Sequence, residues 1–179
     1  PMPVINRVPY RNLVLTGHMG VGKTAVGRLI ANQLNIPLYD LENEIELREG
    51  QSAENIRALF GESRLRTLEA DIVSELVVIR SSVICVNGPT LLQPTNLEKL
   101  RSTGPVLCLT AALNEILRRL HVVQGARFHN PETRSIAISR LKRERGVLEL
   151  PLPHLDTTGL SIETVTERAI QFWMEQADL

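Results

Sequence analysis

A chain of 179 residues and 20.0 kDa can bury a core without disulfides or structural metals but leaves no room for a second full domain, so residues 1–179 are expected to form one domain. Lys plus Arg and Asp plus Glu number 20 each, which removes the net field used by nucleic-acid and acidic-membrane binders and points to small-molecule partners; a monomer is expected. Cys85 and Cys108 stand inside the apolar runs SVICV and PVLCL as reduced core thiols, not a disulfide framework.

Residues 1–12 contain no signal-like apolar segment, and no stretch approaches the roughly 18 apolar residues of a membrane span, so a cytoplasmic location is expected. Pro1 before Met2 reads as an addition and is set aside. Asn12 to Thr16 (NLVLT) is a short continuous apolar run, as a buried parallel strand should be. A helix is predicted over 24–34 with Val26, Leu29, Ile30 and Leu34 on one face. A short strand at 37–39 leads into a charged helix over 41–49, stopped by Gly50. Ser52 caps the next helix, which breaks near Gly61 and resumes from Glu62 to about Arg80.

The next strand is placed at 82–86, ending in a turn at Asn87-Gly88-Pro89. Thr95 or Asn96 caps a short helix to Arg101, a buried strand follows at 105–109, and a helix runs over 114–121. Periodicity is lost from 122 to 131, which reads as a mobile loop. A basic helix over 132–145, a last strand at 155–157 and a final helix capped by Ser161, with Ile162, Val165, Ala169 and Trp173 inward, complete the pattern. Repeated strand–helix alternation predicts an α/β fold with a parallel sheet covered on both faces.

Gly17-His18-Met19-Gly20-Val21-Gly22-Lys23-Thr24 satisfies G-x-x-x-x-G-K-[ST] and lies between a strand and an amphipathic helix, as a phosphate-binding loop requires. Glycines allow the tight path that aims consecutive N–H groups at phosphate oxygens, and the helix N-terminus adds its positive end. Gly17, Met19, Gly20, Val21, Gly22, Lys23, Thr24 and Ala25 are therefore expected to bind ATP, with Lys23 on the β- and γ-phosphates and Thr24 on Mg2+. The four histidines have no metal-ligand spacing.

Beyond the loop the chain resembles the shikimate kinases. Val26-Gly27-Arg28-Leu29 follows at the family's spacing, and Asp40-Leu41-Glu42-Asn43-Glu44-Ile45-Glu46 stands where the family has D-x-D-x-x-I-E, with glutamate for the second aspartate. Gly50, Ser52, Gly61, Glu62, Arg66 and Glu69 also fall in register, with Leu65 for a phenylalanine. The resemblance implies a three-layer P-loop kinase fold with a five-stranded parallel sheet in order 2-3-1-4-5, a lid near 122–131 and an acceptor-binding region near 42–70.

It further implies that Asp40 helps Thr24 hold magnesium, that Glu42 accepts the acceptor's hydroxyl proton, and that Glu69 steadies Arg66. Arg66, Arg145 and Gly88 would bind a carboxylated acceptor. Arg127 would close over the phosphates as a catalytic lid residue, and Arg119 would lie along adenine. The family's Gly-Gly-Gly turn reads Asn87-Gly88-Pro89 here, its lid Arg-Pro-Leu-Leu reads Arg127-Phe128-His129-Asn130, and a tyrosine is replaced by Glu149. These departures touch the acceptor side, so three readings stay open: phosphorylation of shikimate, phosphorylation of another small acceptor, and an inactive nucleotide-binding module.

Overall fold

A computed structural model describes residues 7–177, with the side chains at 123, 124, 127 and 128 outside the description. Five parallel strands form the sheet: β1 (Leu13–Gly17), β2 (Leu38–Asp40), β3 (Val83–Cys85), β4 (Val106–Thr110) and β5 (His154–Asp156). Their order is β2-β3-β1-β4-β5, the order expected from the resemblance. β1 sits in the middle because it is buried at every position, with Leu15 paired to Cys85 on one side and Leu107 on the other.

Alternation along the strands sends side chains to two cores. Leu13, Leu15, Val83, Cys85, Leu107 and Leu109 face α1 (Lys23–Leu34) and α9 (Ile162–Ala177), where Trp173 is fully buried. Gly27 on α1 lies against Cys85: a Cβ there would stand 2.7 Å from its Sγ. Burial pushes both thiols up, to about 12 at Cys85 and about 11 at Cys108, so neither is a nucleophile.

On the opposite face Val14, Ile84 and Val106 meet α2 (Leu41–Glu49), α3 (Ala53–Phe60), α4 (Glu62–Leu76) and α6 (Pro94–Thr103). A separate small core of Ile116, Leu120, Ala137 and Leu141 joins α7 (Leu113–Gln124) to α8 (Pro131–Glu144), with Met19 of the glycine loop packed against it. Among the described residues no helix is long and apolar enough to cross a membrane.

Several expectations are corrected. Asn87-Gly88-Pro89 is not a turn but the entrance to a one-turn helix, α5 (Gly88–Leu91), where proline suits the first helical positions. α6 opens on Pro94, not on a Thr95 or Asn96 cap, because Asn96 is buried and donates its amide to the Thr90 carbonyl at 3.0 Å. α4 ends at Leu76, short of Arg80, whose guanidinium turns back onto the Val77 and Ile79 carbonyls. The expected loop at 122–131 is helical almost throughout. α7 continues to Gln124, a 3-10 segment covers Gly125–His129, and Asn130 caps α8 through the Glu132 N–H at 2.9 Å. Ile162 is 45% exposed instead of inward, because it precedes the first buried turn of α9.

Candidate active site

The glycine loop joins β1 to α1, and its path explains its composition. Gly17, Gly20 and Gly22 have φ of +146°, +82° and +87°, a region that costs any Cβ-bearing residue strain. α1 begins at Lys23, so the first N–H groups of a twelve-residue helix have no intrahelical acceptor and face the loop. The Lys23 ammonium makes no hydrogen bond or ion pair among the described residues. One turn into the site, the Thr24 hydroxyl donates to Asp40 Oδ2 at 2.8 Å.

Asp40 does two jobs. Its other oxygen accepts from the Glu42 and Asn43 N–H groups at 3.0 and 3.4 Å, capping α2. This cap fixes where Glu42 starts. Oxygen donors from a hydroxyl and a carboxylate suit a hard divalent cation that keeps waters and phosphate oxygens as its other ligands. The left-handed glycines, Lys23 and the Thr24–Asp40 pair therefore fit magnesium-bound ATP. No cluster of three or more His, Cys, Asp or Glu able to hold a metal occurs among the described residues.

Behind the loop, a groove of about 300 Å³ runs between Gly20–Gly22, α7 and the start of α9. Arg119 crosses it, donating to the Gly20 carbonyl at 3.0 Å and to Thr157 at 3.3 Å while Glu115 holds its Nε at 3.2 Å. The groove is where a base attached to loop-bound phosphates would extend.

In front of the loop, Glu42 Oε1 accepts from Asn87 Nδ2 at 2.6 Å and from Arg140 Nη2 at 3.0 Å. Arg140 Nε reaches Glu144 Oε1 at 3.1 Å, and the other oxygen of Glu144 accepts the Met19 N–H at 2.7 Å. Burial works against the Arg140 charge, but Glu144 and Glu42 more than offset it and hold the guanidinium above its ordinary value. Next to this chain is a cavity of about 20 Å³ lined by Glu42, Arg57, Glu69, Asn87, Pro89 and Arg140. Burial raises Glu69 above the ordinary carboxylate range, against a hydrogen bond from the Thr90 hydroxyl. Arg57 is pinned by Glu54 at 2.5 Å and Glu62 at 2.6 Å.

The remaining expected residues are scattered around this cavity. Arg66 is 57% exposed, 3.9 Å from Glu62, in an adjoining cleft of about 350 Å³ shared with Glu69, Pro89 and Arg143. Gly88 is buried, not lining: a Cβ would come within 2.8 Å of Val147 Cβ and 2.9 Å of the Glu144 carbonyl. Arg145 is exposed just past α8, where its charge is felt by His18, while Arg140 and Arg143 line the cavities. Arg127 lies in the 3-10 segment, its side chain outside the description.

Sequence reasoning missed Arg57, Asn87, Arg140 and Glu144. A mixed run of charges at 140–145 offered no way to tell which side chain faces inward, and Asn87 carried only a turn signal.

The shikimate kinase sequence model matches residues 19–173. The chain belongs to the shikimate kinase family. The shikimate kinase of Thermodesulfovibrio yellowstonii is 34% identical over 169 residues, covering 90% of this chain and 94% of the relative. That of Geobacter sulfurreducens is 35% identical over 170 residues, 92% of each chain. Among solved structures, the shikimate kinase from Acinetobacter baumannii in complex with shikimate superimposes with a TM-score of 0.75 at 25% identity, covering 98% of both chains. The family's fold is thus reproduced here around a Glu42 where the resemblance expected an aspartate.

Proposed function

We propose that this chain is a kinase that transfers the γ-phosphoryl group of ATP, with Mg2+, to a hydroxyl of shikimate. The observation that carries the reading is the meeting, at one end of the sheet, of a complete phosphate loop and a carboxylate, Glu42, in a chain whose family is shikimate kinase. That the Acinetobacter baumannii relative takes shikimate supports the choice of acceptor.

Magnesium-bound ATP supplies the phosphoryl group. The chain's part is to hold and orient. Loop N–H groups from Gly17 to Ala25 and the start of α1 bind the phosphates, and Lys23 neutralises the β- and γ-oxygens. Thr24 and Asp40 would hold the metal through their oxygens. Arg119 flanks the base, and Arg127, on a lid over 122–131, closes over the phosphates to exclude water and stabilise the moving charge. Glu42 accepts the acceptor's hydroxyl proton on a carboxylate oxygen as that hydroxyl attacks phosphorus. Arg66 and Arg145 draw the acceptor carboxylate, and Gly88 sets the backbone beneath it. One domain, acting as a monomer in the cytoplasm where ATP is supplied, completes the proposal.

The test is a coupled ADP-release assay with ATP, Mg2+ and a panel of hydroxy acids and sugars. Shikimate should be turned over preferentially. Turnover confined to a non-carboxylated sugar, or none despite tight nucleotide binding, would overturn the reading.

A further inference from the structure

The space directly beside Glu42 is small, with clefts of about 350 and 440 Å³ adjoining it. A cavity of about 20 Å³ holds about one water, far less than a ring-shaped hydroxy acid needs. What closes it is Arg140, whose Nη2 sits on Glu42 Oε1 at 3.0 Å while its Nε holds Glu144 Oε1 at 3.1 Å. Glu144 is in turn anchored to the Met19 N–H of the phosphate loop at 2.7 Å. A single guanidinium therefore ties the proton-accepting carboxylate to the donor side.

For an acceptor in these clefts to reach the oxygen that Arg140 occupies, Arg140 must let go of Glu42. Its side chain is only 27% exposed, and a charge at that depth is costly to leave short of a partner. Glu54, at 3.9 Å and shared with Arg57 and Arg143, is a distant substitute. A planar carboxylate on the incoming molecule is a better one, because it matches the guanidinium fork.

We propose that Arg140 is a specificity-determining residue: it exchanges Glu42 for the acceptor's carboxylate, so that a carboxylated acceptor frees the base that its own hydroxyl then uses. The inference rests on the kinase reading above. The exchange moves one ion pair and no covalent bond. The proton still passes from the acceptor hydroxyl to Glu42. Arg66 differs in kind. It touches neither Glu42 nor Arg140, so it adds affinity for the acid without gating the base.

The experiment is steady-state kinetics of the full chain with ATP and Mg2+, using shikimate and its carboxamide, on wild type, Arg140→Met and Arg140→Lys. ADP affinity measured by calorimetry should agree across the three, showing that the donor side is intact. In wild type the amide should lose in kcat as well as in KM, because Glu42 stays held. Arg140→Met should lower kcat/KM for the acid by roughly 30-fold or more, the scale for truncating one partner of a buried charge pair. The same variant should raise kcat for the amide above wild type, since only the neutral Asn87 amide then holds Glu42. Arg140→Lys should fall between in its acid-to-amide ratio.

Equal slowing of acid and amide in Arg140→Met would make the arginine merely structural and overturn the proposal, as would a wild-type amide kcat equal to that of the acid. Should Arg140→Met fail to fold, an Arg140→Lys ratio identical to wild type overturns it. A wild type that binds ADP yet turns over neither compound defeats the kinase reading and this proposal together. An active wild type with an unmoved ratio in the variants defeats this proposal alone.

Discussion

The donor side of the site is assembled from residues 17–24 and one carboxylate, Asp40, that the next strand brings to Thr24. The acceptor side takes Glu42 from α2, Arg57 from α3, Glu69 from α4, Asn87 from the cap of α5 and Arg140 from α8, with Arg140 98 positions after Glu42. The first is specified by backbone conformation and a helix end, which the closely spaced Gly17, Gly20 and Gly22 secure locally. The second is specified by side-chain reach across packed helices. Its residues come from separate helices, so Glu42 and Pro89 can stand in place of the family's residues without altering the phosphate loop.

The largest expected effect breaks the donor side alone. Lys23→Ala removes a solvent-facing charge and no core volume, so turnover should fall by roughly 10²–10³-fold or more while the melting temperature stays within about a degree of wild type. Calorimetric melting beside the kinetic assay checks this, and a variant that melts much earlier would place Lys23 in the packing of the loop.

Gly88→Ala sharpens the contrast from the acceptor side, by stability instead of chemistry. The added methyl meets Val147 Cβ at 2.8 Å and the Glu144 carbonyl at 2.9 Å, so either α5 or the end of α8 must shift. Overpacking of this kind costs about 1–3 kcal/mol, or a melting temperature lower by roughly 2–10 °C for a chain of this size. The acceptor KM should rise because Glu144 and Arg140 move with α8, while nucleotide affinity changes little. An unchanged melting temperature would mean that the α5–α8 contact is loose.

The smallest effect is a pH dependence at the seam between the two sides. His18 is buried, its Nδ1 3.1 Å from the Met19 carbonyl. Burial lowers its pKa below the ordinary 6.5, against the Met19 carbonyl and Glu144, and with Arg145 and Lys23 adding to the lowering. In the unfolded chain the ring takes up a proton near 6.5, so below that pH the unfolded state binds more protons than the folded one. The stability contributed by neutral His18 is whole above pH 6.5 and is lost as pH falls through the lowered folded value. Urea unfolding midpoints at pH 7.5 and 5.5 should differ less in His18→Gln than in wild type, and an equal difference in both would assign the pH dependence to other groups.

The alternation of short apolar runs with amphipathic stretches placed the central strands most clearly, because a strand buried on both faces must be continuously apolar, as Leu13 to Leu15 is, whereas β2 and β5 are partly exposed and carry polar residues. The phosphate loop was readable for a related reason. Positive φ at Gly20 and Gly22 is a local demand that only glycine meets cheaply, so its signature survives in a single string of residues.

Strand order was not in the periodicity and came from the resemblance, since hydrogen bonding between β1 and β3 or β4 depends on pairings between segments far apart in sequence. The same limit applied to 122–131, where weak spacing hid a helix end stabilised by Asn130 and by the core shared between α7 and α8. It applied most to the arginines. Arg140, Arg143 and Arg145 share one short run, yet helical rotation points Arg140 at Glu42 and leaves Arg145 exposed. Composition and motif determined that this chain has a phosphate loop on a parallel sheet. Which guanidinium meets the base was decided only when α8 packed against α5 and the glycine loop, because charge–charge contact is set by distance in space and not by distance along the chain.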